Sequence, residues 1–289
     1  MKKIAFLTMD SLDGFVSYDG LVRDILASRA IQVDEISWRA VNVEWDQFEL
    51  VVIRSPWDYQ SAWNQFISVL TQIDASAARL ENCLSVARWN VQKTYLRNLT
   101  EHAISIVPTI WLSSPSVADL QQLFDRFHSN DVVIKPIVGA NANDAFWLRR
   151  DTSVETFQFA CDTFQGRMAL SQPFVRSVTG YGEVSLIFFA GHYSHSVLKK
   201  PKAGDFRVQE EHGGRIEAVV PEASIIEFAC RTLQAVPGET LYARVDLVFL
   251  DDGQPAVMEV ELIEPSLYLS YDQQSPVRFS DAIEAVLAR

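Results

Sequence analysis

The stretch ARVDLVFLDDGQPAVMEVEL, residues 243–262, limits the fold of this chain more than any other. Two runs of alternating apolar and polar residues flank Asp252-Gly253, a favoured pair for a two-residue hairpin turn. Such a turn sets 251 against 254, and counting outward brings Asp246 directly opposite Glu259. Glu261 then shares the face of Glu259, because strand side chains alternate. Like charges facing one another across strands are unfavourable, so three acids on one patch need a counter-ion or a retained proton. Two explanations stand at this point: a solvated strand face, or a site for a hard divalent cation held by oxygen ligands. A turn longer by one residue would send Asp246 to the other face.

Upstream, the chain opens with α/β alternation. KKIAFLT reads as a strand and YDGLVRDILASRA as a helix with Leu21, Val22, Ile25 and Leu26 on one side. IQVDEISW and FELVVIRS are two further strands. This Rossmann-like pattern fades near residue 80, and no GxGxxG follows the first strand, so the dinucleotide fingerprint is missing. An α+β stretch follows: a helix VARWNVQKTYLRNLTEH, a strand VPTIWLS, a helix VADLQQLFDRF, and a strand DVVIKPI that opens into VGANAND. Beyond Gln172 strands dominate. EVSLIFFAGHYSHSVLKK reads as a hairpin turning at Ala190-Gly191, followed by a helix near 221–236, the acidic hairpin and a terminal helix SDAIEAVLAR. The expected division is 1–85, 86–175 and 176–289.

A net charge of −12 opposes non-specific binding to nucleic acid or to an anionic membrane and favours a small-molecule substrate. No apolar run approaches the roughly 18 residues of a membrane helix, and the opening residues read as a first strand rather than a signal peptide. Cys83, Cys161 and Cys230 are odd in number and widely spaced, as expected of reduced residues in a cytoplasmic protein. The five histidines do not cluster, and Ser11 lacks the glycine-flanked elbow of a serine nucleophile. The sequence leaves the oligomeric state open.

Lys135 sits inside the apolar strand VVIKPI, where an ammonium is costly unless it meets an anion. Lys93 lies upstream in NVQKTYL. Taken singly, each is a lysine reaching for solvent. Together with the downstream acids they form the two halves of a phosphate-and-metal site.

With these elements in order, the chain resembles the ATP-grasp superfamily: Lys93, Lys135 in VIKP, LSQPFV, GYGEVSL, GDFRVQ, RVDLVF and MEVELIEPS. Within it the chain looks closest to glutathione-synthetase-like ligases. SPWDY, KPKAGDFRVQ, LYARVDLV and ELIEPSLYL bring it nearer still to the branch of the O-ureido-serine cyclo-ligase of cycloserine biosynthesis. The resemblance implies a Rossmann-like N-terminal domain followed by two α+β subdomains enclosing ATP. It also implies an ATP-dependent carboxylate–amine ligase that works through an acyl-phosphate on a small amino-acid-like substrate, either between two molecules or by closing a ring. Alternatives are a peptide or protein-tail ligase of the same fold and an ATP-binding regulatory module without turnover.

The resemblance further implies roles for residues. Lys93 and Lys135 would hold phosphates, Gln172, Pro173, Phe174 and Val175 would offer backbone to adenine, and Glu183 would take the ribose hydroxyls. Asp246, Glu259 and Glu261 would bind two Mg²⁺ ions, with Mn²⁺ as a substitute; the family commonly has asparagine where Glu261 stands. Arg207 and Arg244 would face the transferred phosphoryl group. The phosphate loop of the family is glycine-rich, whereas VGANANDAFW has only Gly139, which leaves its closure over the phosphates open. For the substrate, IRSPWDY lies at the carboxyl end of a buried strand, where such sheets bind ligands. Arg54 could clamp a carboxylate, Asp58 an ammonium, and Trp57 and Tyr59 could form walls. Asp10, at the end of the first strand, and Glu264 and Ser266, just past the metal strand, complete the expected set.

Overall fold

Three sheets organise the chain, which is represented by a computed structural model describing residues 2–208, 210 and 213–289. The first is parallel, in the order β2-β1-β3-β4. It contains β1 (Lys2–Thr8), α1 (Asp19–Ser28), β2 (Ile31–Ser37), β3 (Leu50–Ser55), α2 (Trp63–Asp74) and β4 (Arg79–Glu81). Every residue of β3 is buried, as expected of an inner parallel strand covered on both faces. Val22 and Leu26 of α1 are buried but Leu21 is exposed, so the apolar stripe is narrower than expected.

The second segment departs from expectation at its start. The single helix expected over residues 86–102 is two, α3 (Leu84–Asn90) and α4 (Tyr95–Glu101). Between them the Lys93 N–H donates to the Ile137 carbonyl at 2.7 Å, which ties the break to the end of the Lys135 strand. There follow β5 (Ile110–Ser113), α5 (Val117–Arg126), β6 (Asp131–Pro136), β7 (Phe146–Arg149), α6 (Val154–Thr163) and β8 (Met168–Pro173), with an antiparallel sheet in the order β5-β8-β6-β7. β7 and α6 were not legible in the sequence. A Ser116/Asp119 capping box starts α5. Val132 and Ile134 of β6 pack with Leu120, Leu123, Phe157 and Ala160 of the two helices. Val133 and Lys135 therefore point the other way, into a cavity.

The third sheet runs β11-β10-β9-β12-β13. Its elements are β9 (Glu183–Phe189), β10 (His192–Lys200), β11 (Arg215–Val219), α7 (Ala223–Gln234), β12 (Tyr242–Phe249) and β13 (Pro255–Glu261), with α8 (Ser275–Leu287) last. Ala190 and Gly191, both with positive φ, form the expected two-residue turn between β9 and β10. The β12–β13 turn is not the expected one. Leu250 N–H donates to Gln254 O at 3.0 Å, so three residues, Asp251 to Gly253, close the loop. That added residue would have moved Asp246 off Glu259, but Met258 forms a bulge that returns the register, and Asp246 faces Glu259 after all.

Alternation then sorts the sheet. Val184, Leu186, Phe188, Ala243, Val245 and Leu247 pack on Ile225, Phe228 and Ala229 of α7. The other face presents Glu183, Ser185, Arg244, Asp246, Glu259 and Glu261. Asn82, fully buried, donates to Tyr242 O and Leu262 O and accepts from Leu241 N–H, joining the chain after β4 to this sheet.

Candidate active site

One cavity gathers most of the expected residues. Its walls include Lys93, Lys135, Gln172 to Val175, Glu183, Arg207, Arg244, Asp246, Glu259, Glu261, Glu264, Ser266 and Trp57. The polar face of the third sheet forms one side, and Val133 and Lys135 of the second sheet help form the other.

Part of the wall is the connector at the end of β8. Phe174 stacks on Trp147 with centroids 4.5 Å apart, and Trp147 meets Phe206 edge-on at 6.1 Å, so Phe174 and Phe206 give the cavity aromatic surface there. The Phe174 N–H already donates to Asp131 O at 2.9 Å, and the Gln172 amide donates to Thr109 Oγ1 at 3.0 Å. Next comes the β6–β7 loop. Asn141, Ala142 and Asp144 all take left-handed φ, so this loop turns tightly with a single glycine. Gly139 is needed because a Cβ there would come within 2.8 Å of Pro136. Its carbonyl accepts from Lys93 Nζ at 3.0 Å.

The charges at the centre are paired unevenly. Lys93 is ion-paired with Glu259; burial opposes the lysine charge, but Glu259 raises its pKa. Lys135 meets no carboxylate among the described residues: its Nζ lies 3.7 Å from Met258 Sδ, and burial lowers its pKa. An unpaired cation beside a backbone loop suits an anionic phosphate. Asp246 is crowded with donors, receiving Arg244 Nε and Nη2 at 3.0 and 2.9 Å and the Ser185 hydroxyl at 2.5 Å. Burial would raise its pKa, yet Arg244 and Lys199 hold it near about 2. Glu261 shares Arg244 with Asp246. Burial, with Glu259, Asp246 and Glu264 nearby, pushes its carboxyl up to about 8.

These acids fit a hard cation by donor type, all oxygen, and by the excess of negative charge around Glu261. They do not stand as a ready cage, for among the described residues no three acids, histidines or cysteines converge on one point. The convergence expected from the hairpin is thus a shared face, with each acid held by a basic neighbour. A divalent cation would have to take over from Lys93 and Arg244.

Lys199 is not among the residues expected at the site, yet it is buried here. Its Nζ lies 2.5 Å from Glu183 and 3.4 Å from Asp246. Burial works against its charge, but the two acids raise its pKa well above the usual lysine value. The missed signal was the hairpin register together with the Ser194 bulge, which places Lys199 opposite Glu183. Glu183, expected at the ribose, is held by this lysine, and burial raises its pKa. Arg207 is bound by Asp205 through Nη2 at 2.7 Å. Gln209, the last residue of the GDFRVQ stretch, lies outside the described residues.

Substrate expectations need correction at three positions, none of which lines the cavity. Arg54 is buried and bonded to Asp19 at 2.8 Å, with the rings of Tyr242 and Phe279 each 5.3 Å away. Asp58 accepts from Trp38 Nε1 and Arg39 Nε at 2.6 and 2.9 Å. Asp10 is exposed and accepts from the Ser37 hydroxyl. In each case a partner distant in sequence claims the side chain. Trp57 does line the cavity, stacked on Phe15 at 5.4 Å, and its Nε1 donates to Glu264 O at 2.8 Å. Burial raises the Glu264 carboxyl to about 7. Tyr268, left-handed and buried, joins the wall with Arg244 5.7 Å from its ring centroid.

A family model described as the N-terminal domain of D-cycloserine synthetase DcsG matches residues 4–82. The cycloserine biosynthesis protein DcsG of Streptomyces lavendulae is 29% identical over 267 residues, 88% of each chain. The crystal structure of D-cycloserine synthetase DcsG has a TM-score of 0.87 to this chain at 27% identity, covering 99% of both. D-alanine–D-alanine ligase from Bacillus anthracis gives 0.69 at 14% identity, covering 100% of this chain and 97% of its own. The ATP-grasp ligase PsnB, solved with a minimal precursor, Mg and ADP, gives 0.65 at 14%, covering 99% and 98%. The last two bear on the fold alone. The ATP-grasp fold and the nearness to the cycloserine branch expected from the sequence are both borne out.

Proposed function

We propose that this chain, which has the ATP-grasp fold, is a ligase that uses ATP to form a C–N bond: the carboxylate of a small amino-acid-like molecule attacks the γ-phosphate, ADP leaves, and an acyl-phosphate results. An amine then attacks the acyl carbon, the C–N bond forms as the C–O bond to phosphate breaks, and phosphate leaves. The kinship to DcsG supports a variant in which acid and amine belong to one molecule and a ring closes.

The observation that carries this proposal is that one cavity is lined by the connector Gln172 to Val175, by Lys135, which forms no ion pair among the described residues, by Arg244 with Asp246, Glu259 and Glu261, and by Glu264, Ser266 and Trp57. In this assignment Lys93 and Lys135 neutralise phosphate oxygens, and Arg244 and Arg207 face the transferred phosphoryl group. Glu183 holds either the ribose hydroxyls or, as its present contact favours, Lys199. Asp246, Glu259 and Glu261 would hold Mg²⁺, one ion or two, with Mn²⁺ as a substitute; when bound, the metal would supply neutralisation of phosphate charge. Ser266 and Trp57 shape the substrate end. Among the described residues no helix is long and apolar enough to cross a membrane, and a cytoplasmic setting suits the scattered free cysteines.

The test is incubation with Mg-ATP, hydroxylamine and pooled amino acids. Substrate-dependent ADP and hydroxamate are expected. Their absence across a broad panel of small carboxylic acids would remove the proposal's support.

A further inference from the structure

Among the acids lining the cavity, each of Glu183, Asp246, Glu259 and Glu261 is ion-paired to a lysine or arginine. Two others form no ion pair among the described residues. Glu210 receives the hydroxyls of Tyr271 at 2.7 Å and Tyr18 at 3.2 Å. Glu264 is held in a different way, by one short segment that follows β3. Trp57 Nε1 fixes its carbonyl at 2.8 Å, the Gln60 amide reaches its Oε1 at 3.2 Å, and Tyr59 lies within hydrogen-bonding reach of the same carboxyl. Gln60 stands behind Glu264, outside the cavity wall, while Phe15, Trp57 and Tyr59 form that wall.

All the hydrogen-bond donors to Glu264 are neutral, and the nearby cation, Lys93, is ion-paired with Glu259 instead, so Glu264 is oriented without a direct ion pair among the described residues. A carboxyl group held by neutral donors beside aromatic faces favours a cationic guest, which gains from both the acid and the rings. The nearest expected competitor for an anionic substrate group, Arg54, is buried with Asp19 and does not reach the cavity. We propose that Glu264 seats a positively charged amine of the carboxyl-donating substrate, and that Gln60 is the positioning residue that aims it. This deepens the ligase assignment and rests on it for the identity of the reacting carboxyl. The substrate class is then an amino acid whose ammonium survives the activation step, in preference to a simple carboxylic acid.

The experiment measures binding apart from turnover. Wild-type protein saturated with Mg-ADP is titrated calorimetrically with D- and L-alanine and D- and L-serine, and with their des-amino counterparts propionate and 3-hydroxypropionate. The same titrations are run on Glu264→Gln, Gln60→Ala and Gln60→Glu, with thermal unfolding as the fold control. At least one ammonium-bearing ligand is expected to bind about tenfold or more tightly than its des-amino counterpart. Glu264→Gln should erase that preference, and Gln60→Ala should weaken it several-fold. Gln60→Glu, which adds a second acid but cannot donate, should displace the Glu264 carboxyl and also weaken it. A preference that survives Glu264→Gln in folded protein, equal binding of both ligand sets, or no binding by any ammonium-bearing member overturns the proposal. Gln60 variants matching wild type in preference overturn its positioning role. Failure of the ligase assignment would appear elsewhere, as absence of hydroxamate.

Discussion

Lys135 Nζ rests 3.7 Å from the Met258 thioether and forms no ion pair among the described residues. Both residues line the cavity, and Met258 is the bulged residue that restores the pairing of Asp246 with Glu259. One irregularity in β13 therefore both sets the acids and supplies a weak acceptor in place of a counter-ion.

A buried cation without a partner costs stability when the nucleotide is absent. Lys135→Met should raise the unfolding free energy of the ligand-free protein by about 1 kcal/mol and weaken ATP by about tenfold or more. Denaturant titration and nucleotide titration check the two halves. A variant no more stable than wild type, with ATP affinity intact, contradicts the role given to Lys135.

The Glu261 carboxyl, raised to about 8 by burial among acids that share too few cations, sets a pH dependence. Between about 4.3, its unfolded value, and 8, the folded state keeps a proton that the unfolded state releases. Stability of the metal-free protein should therefore fall as pH rises through that window and level off above it. Glu261→Gln should flatten that part of the slope, as read from thermal unfolding midpoints across pH. An unchanged slope would mean that Glu261 is ionised throughout.

Lys199 bridges Glu183 and Asp246 deep in the cavity. Lys199→Met leaves Glu183 buried without a basic partner, near an Asp246 still held by Arg244, and should cost about 3 kcal/mol or more. Adding Glu183→Gln should recover part of that loss, since one unpaired charge is removed. The double-mutant cycle in urea measures the coupling; additive effects would contradict a direct pair.

Arg54 is a structural residue in this arrangement. Arg54→Ala, which leaves Asp19 buried alone, should destabilise by about 3–5 kcal/mol, while KM for the acid substrate stays within about twofold in the fraction that folds. A large rise in KM without loss of stability would return Arg54 to the substrate.

Local pattern made parts of this molecule legible and could not reach others. The Ala190-Gly191 turn and the alternation beyond it were readable because positive φ and period-two burial act over a few residues. The Asp246–Glu259 pairing was reached through a turn one residue too short, and the Met258 bulge cancelled the difference. No comparable cancellation protected Lys199: the Ser194 bulge shifted its register and placed it opposite Glu183. The helix expected through Lys93 breaks because Ile137 O, more than forty residues away, takes the Lys93 N–H. Arg54 and Asp58 were assigned to substrate because partners such as Asp19 and Trp38 are set by tertiary packing. Partners within one hairpin are thus legible only where bulges leave or restore the register, as at Asp246 and Glu259 but not at Lys199 and Glu183, and partners that arrive from another sheet or helix are not.

The central claim is that a substrate carboxylate is phosphorylated before the C–N bond forms. It is tested most directly by supplying the acid substrate with a heavy-oxygen label in its carboxyl group, together with Mg-ATP and the amine, and weighing the released phosphate by mass spectrometry. One labelled oxygen per phosphate is predicted, carried over when the acyl–oxygen bond breaks. Phosphate that gains no label while amide accumulates would contradict an acyl-phosphate route.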